Sequence, residues 1–134
     1  MRQVRKRVNG EPDFEVYHFV FDTAREIFEE IFEASKNFPK EKLYLTDQIR
    51  RNSLSVCTSL AEAWRMKDNR TIFLSKLSDA AQAASKAQNC LELASKYNFI
   101  RRETFQRLDT KYDDIFDLLC DGTKKLVDQM VSHN

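Results

Sequence analysis

From Arg70 to Tyr97 the chain reads RTIFLSKLSDAAQAASKAQNCLELASKY. Phe73, Leu77, Ala80, Ala84, Ala87, Leu91 and Ala94 follow one another in alternating steps of four and three. That spacing holds them on one stripe of a helix, the seam along which a partner helix packs. Four of the seven are alanine, so a partner can come close but must bring the large side chains itself. The stretch predicts a helix over about 70–97. Asp68 and Asn69 precede it as candidate N-caps, because a short side-chain oxygen can accept from the N–H groups that a first helical turn leaves unpaired.

The same alternation extends in both directions. Downstream, Phe105, Leu108, Tyr112, Ile115, Leu119, Gly122 and Leu126 predict a helix over about 102–130. Gly122 falls on its seam, where it costs roughly 1 kcal/mol of helix propensity relative to alanine and predicts close packing or a local kink. Upstream, Leu45, Ile49, Ser53, Val56, Leu60 and Trp64 predict a helix over about 41–66, with Thr46 or Asp47 as capping oxygens near its start. Tyr17, Val20, Phe21, Ala24, Ile27, Phe28, Ile31 and Phe32 predict a first helix over about 13–36, with Phe14 and Phe19 widening its apolar arc. Asn37-Phe38-Pro39-Lys40 ends it, since the residue before proline is pushed out of the helical region.

Four helices of similar length with short connections favour antiparallel neighbours. The fold class is therefore all-α: an antiparallel up-down-up-down four-helix bundle over 13–134, preceded by a short, flexible basic arm over 1–12. A chain of 134 residues supports one such core and not two. Two glycines and two prolines exclude Gly-rich phosphate cradles and turn-dense β folds. No run approaches the roughly 18 apolar residues of a membrane span. Arg2, Arg5, Lys6 and Arg7 lead into Val-Asn-Gly-Glu-Pro, which is not the apolar core of a secretory signal. Cys57, Cys90 and Cys120 form no CxxC and no disulfide framework, so a reducing, cytoplasmic location is expected. Six of the ten phenylalanines lie between Phe14 and Phe38, more aromatic surface than one bundle seam can hide, and self-association is the natural remedy.

The overall charge, 22 Lys+Arg against 21 Asp+Glu for a net +1, conceals a pattern. The arm through Arg7 has four cations and no acid, residues 13–34 sum to −6, residues 40–70 and 71–102 to +3 each, and residues 103–131 to −3. Helices 1 and 4 are neighbours in an up-down-up-down bundle, and so are helices 2 and 3, so an acidic and a basic side are expected. One reading is solvated faces with local pairs such as Asp47 with Arg51. The other is a head-to-tail contact between copies, acidic side to basic side, which closes into a ring when its rotation allows.

Residues that could carry chemistry are few. Glu15-Val-Tyr-His18 has the ExxH spacing of ferritin-like metal sites, but those need a second such element and two further carboxylates, and the other histidine is His133 in the tail. No metal site, cofactor site or catalytic residue is assigned, and an enzyme is the weakest class, with no HExxH, no GxSxG and no histidine near a cysteine in the chain. Basic residues remain. Arg2, Arg5, Lys6 and Arg7 suit a phosphate-binding arm, or equally a solubilising tail. Arg50 and Arg51 are adjacent on a helix and point about 100° apart, so one is placed to pair inside the bundle while the other meets solvent or a neighbour. Trp64, at the end of an apolar stripe, reads as core.

Leu45-Thr-Asp-Gln-Ile-Arg-Arg-Asn-Ser-Leu-Ser-Val56 and Leu60-Ala-Glu-Ala-Trp-Arg65, with Phe38-Pro39 before and Phe73-Leu-Ser-Lys-Leu-Ser-Asp-Ala80 and Tyr97-Asn-Phe-Ile100 after, resemble the four-helix proteins encoded in intervening sequences of bacterial 23S rRNA genes. The resemblance covers roughly Phe14 to Met130. It implies a four-helix bundle, a homopentameric ring, and a poorly defined role usually tied to RNA or DNA. The accessory proteins of diversity-generating retroelements are similar in fold and bind nucleic acid and a reverse transcriptase, which adds a reverse transcriptase or ribonucleoprotein to the implied partners. Glu62-Ala63 stands where the family often has Glu-Gly, Gln82 where it has glycine, and Lys86 where it has an acid. The expectation is a non-enzymatic, homo-oligomeric accessory bundle that binds nucleic acid weakly through Arg2, Arg5, Lys6, Arg7, Arg50, Arg51, Arg65 and Arg70. The alternative is a protein-binding scaffold with no nucleic-acid role.

Overall fold

The computed structural model describes the backbone of residues 14–132, with side chains over 14–121 and at Lys124. The helices are α1 (Phe14–Ser35), α2 (Leu43–Arg65), α3 (Arg70–Lys96) and α4 (Arg102–Ser132). Each neighbours the next, and α1 also packs on α4, while α1 with α3 and α2 with α4 are the diagonals. This is the expected all-α four-helix bundle. Pairs across α2 and α3 fix their antiparallel course: Lys42 over Tyr97 at one end, Glu62 with Lys76 at the other.

The seam residues of α3 are all buried, from Phe73 through Ala80, Ala84 and Ala87 to Ala94. The contact between α2 and α3 is the most extensive of any pair. Small side chains account for it on both sides: Ser53, Ser59 and Ala63 are buried on α2 as the alanines are on α3, so the backbones can approach closely. Large residues fill the opposite half of the core, with Val20, Ile27 and Ile31 from α1 and Leu108, Tyr112 and Ile115 from α4. Each such side chain is worth about 1.5–3 kcal/mol on full burial.

Aromatic clusters close the two ends. At one, Tyr17 lies 4.7 Å from Trp64 and 6.0 Å from Phe73, ring centre to ring centre, and its hydroxyl donates to the Leu60 carbonyl. At the other, Phe38 from the α1–α2 connection meets Phe99 from the α3–α4 connection at 5.7 Å. That second connection turns on Asn98, whose φ of 60° is left-handed. Phe99 N–H reaches Ala94 O at 2.8 Å and Asn98 N–H reaches Ser95 O at 3.0 Å, the paired bonds that finish a helix on a left-handed residue.

Two helix starts sort the capping candidates. Asn69 caps α3, its Oδ1 accepting from Ile72 N–H at 3.2 Å, and Asp68 does not. Neither Thr46 nor Asp47 caps α2. A single 3-10 turn at Lys40–Lys42 leads directly into that helix at Leu43, so Thr46 already lies within the first turn and donates back to Lys42 O at 3.4 Å. Helix α4 runs on through Gly122 to Ser132, two residues beyond the expected end. The proposed arm over 1–12, and the packing at the Gly122 and Leu126 positions of the α4 seam, lie outside what is described.

Candidate nucleic-acid interface

With α1 beside α4 and α2 beside α3, the two acidic segments lie together and so do the two basic ones. The interhelical ion pairs stay within these halves. Arg107 binds Glu30 with both terminal nitrogens, joining α4 to α1, and Lys76 Nζ meets Glu62 Oε2 at 3.1 Å, joining α3 to α2. Arg107 holds the Glu30 carboxyl below the usual glutamate range, and Glu62 pushes the Lys76 ammonium up. Among the described residues no ion pair crosses from the acidic half to the basic half.

The eight predicted cations do not form one cluster. Arg2, Arg5, Lys6 and Arg7 lie outside the described residues. Arg50 is half-buried where α2 crosses the end of α1: its Nε donates to Ser35 Oγ at 2.7 Å and its guanidinium lies 4.4 Å over the Phe32 ring. The two contacts tie Arg50 to α1 within the chain. Arg51 points outward and pairs with Asp47 one turn back at 3.1 Å. The adjacent arginines therefore divide as expected, one inward and one to solvent.

Arg65 and Arg70 stand at the other end, about 21 Å from Arg51 along α2 at 1.5 Å per residue. Both are without an ion pair among the described residues. Arg65 borders a small apolar hollow of about 230 Å³ that Phe14, Phe21 and Trp64 line. Trp64 is half-buried between Tyr17 and Lys67, whose Nζ lies 5.0 Å from its ring, and so serves the core. His18 stacks on Phe14 and faces Asp22 at 3.2 Å.

A second opening went unnoticed in the sequence. It lies between α2 and α3 near the Asn98 turn, holds about 560 Å³, and has exposed Tyr44 and Tyr97 on its walls. The signal was present: Tyr44, Gln48 and Asn52 recur every four residues on α2, and Lys86, Asn89, Cys90, Leu93 and Tyr97 repeat at helical steps on α3. Polar residues at helical spacing read as a solvated face, and that the two faces meet is a tertiary fact.

The model of the 23S rRNA-intervening sequence protein family matches residues 18–121. The chain belongs to that family. The matched span runs from α1 well into α4 and leaves Arg2, Arg5, Lys6 and Arg7 outside it. Among solved structures, the chain is similar to a protein of unknown function from the S23 ribosomal protein family of Bacteroides thetaiotaomicron, with 23% identity, a TM-score of 0.67, and coverage of 84% of this chain and 96% of that one. At that identity the likeness concerns the fold. No curated protein matches the chain. Neither similarity indicates an enzyme family. No helix among the described residues is long and apolar enough to cross a membrane.

Proposed function

We propose that this 23S rRNA-intervening sequence family member is a non-enzymatic, cytoplasmic, self-associating bundle, pentameric by resemblance, that serves as an accessory module to a nucleic acid or ribonucleoprotein, including one built around a reverse transcriptase. The charge segregation carries this reading. An acidic half on α1 and α4 and a basic half on α2 and α3, with no ion pair between them among the described residues, leave each half's excess charge facing outward. The acidic half of one copy is complementary to the basic half of the next. Exposed Phe19, at 55%, adds apolar area on α1 that a neighbour would cover. Basic surface not used in assembly, together with Arg2, Arg5, Lys6 and Arg7, is then available to phosphates.

The test is a salt titration of RNA and DNA binding. Phosphate contacts release counterions, so log affinity falls linearly with log salt, by roughly 0.7–0.9 log units per contact for each ten-fold rise in salt. Binding at low salt with such a slope, reduced when the four arm cations are replaced by alanine, supports the proposal. No binding at low salt leaves the scaffold reading. One observation favours that alternative: Arg50 and Arg51 already have partners within the chain.

A further inference from the structure

The opening between α2 and α3 has two exposed tyrosines on its walls. Tyr44 is 79% exposed and Tyr97 is 56% exposed. Tyr97 is not loosely held. Its ring stacks on Phe99 at 5.6 Å with 25° between planes, and Phe99 packs on buried Phe38. Lys42 Nζ lies 5.7 Å from the centre of the Tyr97 ring. The result is a buttressed ring at one end of the groove, held between Phe99 and a cation, with the more exposed Tyr44 ring standing free on the facing wall.

Three primary amides line the same groove, from Gln48, Asn52 and Asn89. Gln48 and Asn89 make no side-chain hydrogen bond among the described residues, so each presents a free donor and a free acceptor. Lys86 lines the wall without an ion pair among the described residues, and Glu41 is the one carboxylate in the lining. A volume of about 560 Å³ is in the range of small-ligand sites. An apolar helix seated here would strand the amides, which is costly. A planar group with polar edges and an attached anion satisfies the tyrosines, the amides and the lysines together.

We propose that this groove takes an unpaired base of a single-stranded nucleic acid, stacked on Tyr44 beside Tyr97, with its edge facing Gln48 and Asn89 and its phosphates near Lys42 and Lys86. The inference rests on the nucleic-acid reading above and adds the place and the mode of binding. Base–aromatic stacking is tolerant of sequence and is unavailable to a base inside a duplex, so the groove discriminates single strands from double ones.

Fluorescence anisotropy of the full chain with a labelled oligoadenylate about 12 nucleotides long, within the footprint range of single-strand-binding domains, tests it against a duplex of the same length. Tyr44→Ala and Tyr97→Ala each weaken single-strand binding about ten-fold, the scale of one lost stack, while Tyr97→Phe keeps the wild-type affinity. Duplex binding is unchanged in all three. Lys42→Ala and Lys86→Ala instead lower the salt slope. Because Tyr97 also supports the α3–α4 turn, Tyr44→Ala carries the test alone if Tyr97→Ala fails to fold. Wild-type binding that is insensitive to both tyrosine replacements overturns the groove as a site and leaves the general nucleic-acid reading standing. No wild-type binding at low salt overturns both. A Tyr44→Ala chain with unchanged affinity but a smaller particle mass assigns the groove to a contact between copies, which also overturns the proposal.

Discussion

Arg107 on α4 grips Glu30 on α1 with both guanidinium nitrogens, Nη1 meeting Oε2 at 2.9 Å and Nη2 meeting Oε1. In the half of the bundle with excess acid, this pair holds the two acidic helices together. Two parallel charge-assisted hydrogen bonds fix the geometry, although partial exposure limits their energy.

Loss of that pair is expected to be small and pH-dependent. The Glu30 carboxyl titrates below its ordinary range when folded, chiefly because Arg107 hydrogen-bonds it. Its contribution is therefore complete above the unfolded glutamate pKa of about 4.3 and is lost as pH falls through the lower folded value. Glu30→Gln should cost roughly 0.2–1 kcal/mol at neutral pH. Urea denaturation at neutral pH and at an acid pH below that unfolded value should show the gap between the two proteins closing at the lower pH. An equal gap at both pH values would show that the loss is one of packing and not of charge.

The left-handed turn at Asn98 makes a backbone prediction. Asparagine tolerates φ of 60° better than other residues with a Cβ, and glycine tolerates it best. Asn98→Ala should lower stability by about 1 kcal/mol, and Asn98→Gly should leave it within about 0.5 kcal/mol of wild type. Equal losses in both variants would point to the Asn98 side chain and away from backbone strain.

Tyr112 presents the opposite case, a polar group in the wrong medium. Its ring fills the core with no exposed surface, and its hydroxyl has no hydrogen-bond partner among the described residues. Burial raises its pKa, with Cys57 adding to the effect, and the same burial pushes the Cys57 thiol up to about 11. Tyr112→Phe removes the unpaired hydroxyl and keeps the ring, so the urea midpoint should rise by the equivalent of about 1 kcal/mol. A fall would mean that the hydroxyl is satisfied in solution.

Most of the fold was legible because helical periodicity is a local property. The α3 stripe from Phe73 to Ala94 is buried at every position, and Pro39 and Asn98 fall at the connections. The start of α2 was not legible, since Thr46 reads as a cap until the 3-10 turn at Lys40–Lys42 is known to feed the helix. At the candidate interface, the split between Arg50 and Arg51 followed from their 100° offset, but the partners Ser35 and Phe32 come from another helix and leave no trace in local spacing. The Tyr44–Tyr97 groove was half legible: each wall repeats at helical spacing, but the walls are 53 residues apart in the chain and local spacing does not bring them together.

The polarised bundle has its most direct test in the particle mass by light scattering at micromolar concentration, measured across a salt series. If the acidic half of one copy docks on the basic half of the next, low salt gives a discrete multiple of the single-chain mass, and added salt shifts the population toward smaller species as screening weakens the contact. A particle of single-chain mass at low salt would contradict the account.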